Sequence, residues 1–169
     1  LEAIQNFLTK GNYNQEKVLN AFKKNRLALR HFSGTTGYGY GDEGRDTLNA
    51  ILADDFKAES AICSPKIVSG THALSLCLYG VLRPNDDFVC ITGQPYDTLQ
   101  DVIKGEGNGS LKDYGINFTA IDLVDGKIDT PSIREYFSKK QPKMVYLQRS
   151  RGYDWRNALR INEIKEIVD

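Results

Sequence analysis

Apolar positions recur along this chain in two rhythms. Over residues 14–29, Val18, Leu19, Phe22 and Leu29 stand among Lys, Glu and Arg at the spacing of an amphipathic helix. The stretch HFSGTTGYGYGDEGRD then carries five glycines and no period. Helical spacing returns over 47–56 with Leu48, Ile51, Leu52 and Phe56, and Asp46 or Thr47 stands ready to cap the start. AICSPKIVSG follows, two short apolar runs around Pro65, the second of them strand-like.

From there the two rhythms alternate. The pattern predicts a helix over 72–79, the turn RPNDD, a strand FVCITG, the loop QPYDTL and a helix ending near Ile103. After the Gly-rich GEGNGS come a strand NFTAIDLV and the loop DGKIDTPS, whose Pro131 suits the first position of a helix over 132–138. A strand KMVYLQ, the loop RSRGYDWR and a helix from Asn162 close the series. Strands alternating with helices predict an α/β fold with a mostly parallel sheet flanked by helices. The organisation reads as an N-terminal helix with a Gly/Tyr-rich arm over 1–46, then an α/β domain over 47–169.

Ligands of such sheets bind beyond the carboxyl ends of the strands, and the loops SGTH, GQPYDT and QRSRGYDW fall there. In SGTHA, Gly70 permits close backbone approach, and Ser69 and Thr71 add hydroxyls where a helix begins, a cup for phosphate. An ordinary helix cap uses the same residues. His72 is a base, a ring partner or a structural histidine. Tyr96 follows a strand end and Pro95, which leaves its ring in a loop for a planar ligand to stack on. Arg149 and Arg151 bracket Ser150, and two guanidinium forks hold a carboxylate or phosphate; a solvated basic loop has the same composition. The glycines of TTGYGYGDEGRD lie between two helices, outside the strand-to-helix setting of a dinucleotide fingerprint, and leave Tyr38, Tyr40 and Arg45 as polar groups on an arm.

Composition narrows the field. The chain has 169 residues, enough for one core, and its 22 basic and 22 acidic residues give zero formal charge with no basic stripe for a nucleic-acid backbone. No apolar run approaches a membrane span and no signal peptide opens the chain, so a soluble, cytoplasmic protein without nucleic-acid or membrane partners is expected. Cys63, Cys77 and Cys90, without CxxC spacing and set among apolar residues, read as small buried hydrophobes. With only His31 and His72 and no HExxH, GxSxG or P-loop, no metal site is expected. The chain opens on Leu1 and closes on INEIKEIVD with no helix stop, as an excerpt would.

In this order, the stretches HFSGTTGYGYGDEGRDTL, IVSGTHAL, GVLRPNDDFVCITGQPYDTL, GSLKDYGI and VYLQRSRGYDWR resemble the fold-type I pyridoxal-phosphate enzymes. They are most similar to the aluminium resistance or methionine gamma-lyase-like family of the cystathionine lyase class. The resemblance implies the large domain of the fold-type I transferase fold, pyridoxal 5'-phosphate as cofactor, and a carbon–sulfur lyase acting on a sulfur-containing amino acid. It implies that Ser69, Gly70, Thr71 and His72 form the phosphate loop, through the Gly70 and Thr71 amides, and that Tyr96 stacks on the cofactor ring. It also implies a homo-oligomer, a dimer or tetramer, whose arm around Tyr40 reaches a neighbouring subunit's phosphate. The class has arginine where this chain has Asp42, and Arg45 is the nearby cation that we assign to that phosphate. Arg149, Arg151 and Tyr38 are the candidates for the amino-acid substrate. The covalent cofactor lysine of the class comes later than any matched stretch, so no catalytic residue is assigned and these residues alone are expected to be inactive. Two other classes stay open: a non-catalytic phosphate-ligand module, and a structural oligomerisation fragment.

Overall fold

The computed structural model describes residues 2–38, 40–152 and 155–168; Gly39 of the arm and Tyr153 and Asp154 of RSRGYDWR lie outside the described residues. The chain forms two compact units, Leu1–Ile67 and Val68–Asp169.

The first unit is helical. Helix α1 spans Glu2–Lys24 and α2 spans Glu43–Phe56, with a short 3-10 turn at Leu29–Phe32 between them. Helix α1 starts well before the expected Asn14 and stops short of Leu29. It stops because Arg26 turns left-handed (φ 50°), and the Leu27 and Arg26 amides bond back to Phe22 O (3.0 Å) and Lys23 O (3.1 Å). Lys57 (φ 54°) ends α2 in the same way, with Ala58 N donating to Ala53 O at 2.9 Å. Glycine normally takes this position, so two basic residues there hide both stops from a sequence reading. The start of α2 also differs from expectation: Asp42, not Asp46 or Thr47, caps it by accepting the Arg45 amide at 3.1 Å. The two helices meet through Asp54, which accepts Lys24 Nζ and, at 2.7 Å, Asn25 Nδ2.

The second unit runs α3 (Gly70–Val81), β1 (Asp87–Cys90), α4 (Asp97–Lys104), β2 (Asn117–Ala120), α5 (Thr130–Lys139), β3 (Met144–Tyr146) and α6 (Ile161–Val168). The strands pair in parallel in the order β2-β1-β3, with Cys90 in register with both Ala120 and Tyr146. This is the expected α/β alternation with one exception: the KIV run is no strand, because Ile67 N and Lys66 N fold back onto Ser64 O (3.0 Å) and Ser64 Oγ (3.2 Å).

Central β1 sends alternate side chains to opposite faces. Phe88 packs with Leu78 and Leu82, with Leu99 and Ile103 of α4, and with Leu111 and Ile116. Val89 and Ile91 pack with Ile133 of α5 on the other face. Each such side chain contributes roughly 1.5–3 kcal/mol on leaving water. On α3 the core stripe is Leu74 and Leu78, continued by Leu82 just past its end, so Cys77, about 100° around the helix from Leu78, is exposed, and Cys63 is half-buried. Of the three cysteines expected in the core, Cys90 alone is there. Among the described residues no helix is long and apolar enough to cross a membrane.

Candidate functional site

Register builds one wall of the site. Cys90, Ala120 and Tyr146 are aligned across the sheet, and two residues beyond each stand Thr92, Asp122 and Gln148. The ladder continues past the strand ends through Ile91 N to Tyr146 O (3.0 Å), Ile121 N to Cys90 O (2.8 Å) and Gly93 N to Ile121 O (2.8 Å). Thr92 Oγ1 accepts the Gln148 amide at 2.9 Å. Gly93 is left-handed (φ +81°), and a Cβ there would lie 3.3 Å from Asp122 Oδ1. The turn therefore favours glycine on conformational grounds.

Pro95 is buried and Tyr96 leads into α4: its amide donates to Gln148 Oε1 (3.3 Å) and its carbonyl accepts Leu99 N (2.8 Å) and Gln100 N (3.0 Å). The Tyr96 hydroxyl shares a hydrogen bond with Ser150 Oγ. In front of these groups lies a cleft of about 580 Å³ lined by Tyr96, Asp97, Gln100, Asp122, Arg151 and Arg156, among others. No lysine lines it among the described residues.

The start of α3 contributes no residue to the lining of that cleft and is joined instead to the first turn of α4. Ser69 is extended, and its Oγ accepts the His72 amide at 3.1 Å. The first-turn amides of Gly70 and Thr71 have no partner inside the helix, and no group among the described residues accepts them. Thr71 Oγ1 and Thr98 Oγ1 bond at 2.9 Å, tying the start of α3 to the first turn of α4. His72 Nδ1 accepts the Val68 amide at 3.4 Å, which directs its ring toward the loop before its own helix.

The remaining sequence candidates separate. Arg151 lines the cleft, whereas Arg149 is exposed and, among the described residues, is engaged through its carbonyl, by the Leu159 amide at 3.1 Å. Tyr38, Tyr40 and Arg45 belong to the first unit. Both tyrosines are exposed there, and the Arg45 guanidinium pairs with Asp42 at 2.8 Å, one helical turn away. Asp42 is itself buried and also accepts Thr35 Oγ1 at 3.1 Å.

Sequence reading missed Thr92, Asp122, Gln148 and Arg156. The first three stand at equal offsets past three strand ends, a signal readable once the register is known. Arg156 offered none: its guanidinium holds backbone, donating to Ser150 O (2.8 Å), Gln148 O (3.3 Å) and Asn157 O (3.0 Å). Behind the site, burial pushes the Tyr146 phenol up to about 12, with Cys90 and Tyr96 adding to the effect. Burial also raises the Cys90 thiol. Among the described residues no cluster of His, Cys, Asp or Glu could hold a metal ion.

Residues 2–169 match the sequence profile of the family described as methionine gamma-lyase. A crystal structure from Clostridium acetobutylicum, described provisionally as a cystathionine beta-lyase involved in aluminum resistance, is 44% identical and superposes with a TM-score of 0.94 over 99% of this chain and 40% of its own. A carbon-sulfur lyase involved in aluminum resistance from Clostridium novyi NT is 45% identical, with a TM-score of 0.86 over 94% of this chain and 38% of its own. The uncharacterised protein YnbB of Bacillus subtilis (strain 168) is 46% identical over 159 residues, 92% of this chain and 38% of that protein. The chain thus spans about two fifths of the length of these relatives. With this coverage and these identities, the chain belongs to the methionine gamma-lyase family.

Proposed function

We propose that this chain is the N-terminal portion of a cytoplasmic, pyridoxal-phosphate-dependent carbon–sulfur lyase that acts on a sulfur-containing amino acid. The observation that carries this reading is the Thr71–Thr98 hydrogen bond, which joins two unfilled amide donors to the turn bearing Tyr96. The residues fit the cofactor by their chemistry. The Gly70 and Thr71 amides, at the positive end of a 12-residue helix, suit a phosphate dianion, and a Cβ built at Gly70 meets no atom within 4 Å, so the approach is open. Tyr96 supplies an aromatic face.

When bound, pyridoxal phosphate supplies an electron sink for bonds broken next to an amino group. The residues of this chain bind and orient. Gly70 and Thr71 would hold the phosphate, Tyr96 would stack on the ring, and Arg151, which lines the cleft, would hold the substrate carboxylate. Tyr40 and Arg45 reach the phosphate of a neighbouring subunit, a role for which Arg45 exchanges its Asp42 partner. The cofactor-bonding lysine belongs to the family beyond the stretches matched here.

Gly70→Pro tests this reading directly. Proline is tolerated at the first position of a helix and lacks the N–H, and the preceding Ser69 is already extended (φ −160°, ψ 166°), so the helix persists while one phosphate donor is lost. Affinity for pyridoxal phosphate, read from visible absorbance, is expected to fall about 10- to 100-fold, the value of one hydrogen bond to a charged group. Unchanged affinity with intact helix content would overturn the assignment.

A further inference from the structure

We propose that Ser150 and Gly152 are positioning residues that set the plane of the Tyr96 ring; this rests on the reading that Tyr96 stacks on the cofactor. The backbone of Tyr96 is fixed by Gln148 and by the start of α4, but a backbone anchor leaves the ring torsion free, since χ2 of tyrosine lies in a broad two-fold well. Two contacts from the loop after β3 remove that freedom. Ser150 Oγ bonds the phenol oxygen at the tip of the ring. Gly152 lies against its side: a Cβ at Gly152 would come within 2.9 Å of Tyr96 Cδ1 and 2.7 Å of Cε1, closer than real Cβ atoms approach carbon.

The loop making these contacts is itself anchored. Gln148 Nε2 donates to Ser150 O at 3.2 Å, Arg156 holds the carbonyls of Gln148 and Ser150, and the Gln148 amide is tied to Thr92 on the central strand's extension. Gly152 also has φ +59°, so its conformation alone favours glycine. That conformation accounts for a turn; it does not account for a ring standing where a Gly152 Cβ would be or for a phenol bond two residues earlier. Tip and side are held together, and a stacking platform needs both, because an offset stack depends on the tilt of the ring as well as its place.

The test compares Ser150→Ala, Gly152→Ala and Tyr96→Ala in the whole protein, with two readouts. In the cofactor-free protein carrying 13C-labelled tyrosine, the Tyr96 ring signals are expected to shift in both loop variants. With pyridoxal phosphate added, both are expected to lower affinity about threefold to tenfold and to weaken the cofactor's induced circular dichroism in the same direction. Ser150→Ala leaves the backbone untouched, so it decides the matter should Gly152→Ala fail to fold. Wild-type ring signals and dichroism in the Ser150 variant, alongside weakened binding by Tyr96→Ala, would overturn the positioning role and leave the stacking role standing. Unchanged binding by Tyr96→Ala would overturn both.

Discussion

The second unit contains two cups of backbone amides, and they have opposite fates. In GEGNGS the N–H groups of Gly107, Asn108, Gly109 and Ser110 converge on the carboxylate of Asp113 at 3.2, 3.0, 2.9 and 3.3 Å. Those bonds, the Gly107 amide's foremost, hold the Asp113 carboxyl below the usual range. Gly107 (φ +69°) and Gly109 (φ +83°) supply the left-handed residues that curl the loop. In SGTH the Gly70 and Thr71 amides point outward at a helix start with no acceptor among the described residues. The donor chemistry is the same; what differs is the nearest acid. Asp113 lies three residues past Ser110, within reach of a fold-back, whereas no Asp or Glu occurs between Glu59 and Asp86. One cup is closed by its own chain and is structural. The other has no acceptor among the described residues.

Both cups hang from one core, and breaking that core should give the largest effect. Leu111, fully buried, follows the closed cup directly and packs in the same cluster as Leu78 of α3 and Leu82 at its end. Leu111→Ala is expected to cost about 2–5 kcal/mol in denaturant unfolding and to weaken pyridoxal phosphate binding as well. A stability loss that spared cofactor binding would mean that the two cups are separately supported.

Asp113→Asn should separate the cups in the opposite sense from Gly70→Pro. It empties the closed cup of its charge, so thermal stability falls at neutral pH while cofactor affinity stays as in the unaltered protein. Because the folded carboxyl sits below its ordinary 3.8, its stabilisation is present above that pH and is lost as pH falls through the folded value. The variant should therefore show a shallower acid limb in thermal melts. A loss of cofactor affinity would mean that GEGNGS is not a purely structural cup.

The smallest effect concerns the strand beneath the site. Burial raises the Tyr146 phenol from 10.0 to about 12, so the buried neutral form carries no penalty below about pH 10 and stability is lost as pH climbs from there through 12. Tyr146→Phe is expected to leave stability near neutrality unchanged and to flatten the alkaline limb. An identical alkaline limb would show that the phenol titrates normally, and that the floor behind Tyr96 is wetter than its packing against Phe88 implies.

Much of this was legible in the chain. Alternating rhythms marked the three strands and the helices around them, because a 2-residue and a 3.6-residue period survive in any surroundings. The SGTH cup was legible for the same local reason, being a cap residue, a glycine and a helix in sequence. The stops of α1 and α2 were not, since Arg26 and Lys57 adopt a conformation whose usual marker is glycine. The KIV run was misread because its hydrogen bonds close on Ser64 rather than on a neighbouring strand.

Sequence by itself thus determined the order of the elements, the donors of the open cup and the absence of an acid nearby to fill it, all properties of neighbours along the chain. Tertiary structure alone decided which groups meet. The row of Thr92, Asp122 and Gln148 exists only once the register aligns three strand ends, and Tyr96 meets Ser150 and Gly152 only because β1 and β3 lie side by side. Arg151 lines the cleft, and the loop before it is held by Arg156 through the carbonyls of Gln148 and Ser150. The Tyr96–Ser150 and Thr92–Gln148 bonds join residues more than fifty positions apart, and no period or motif within either segment encodes them.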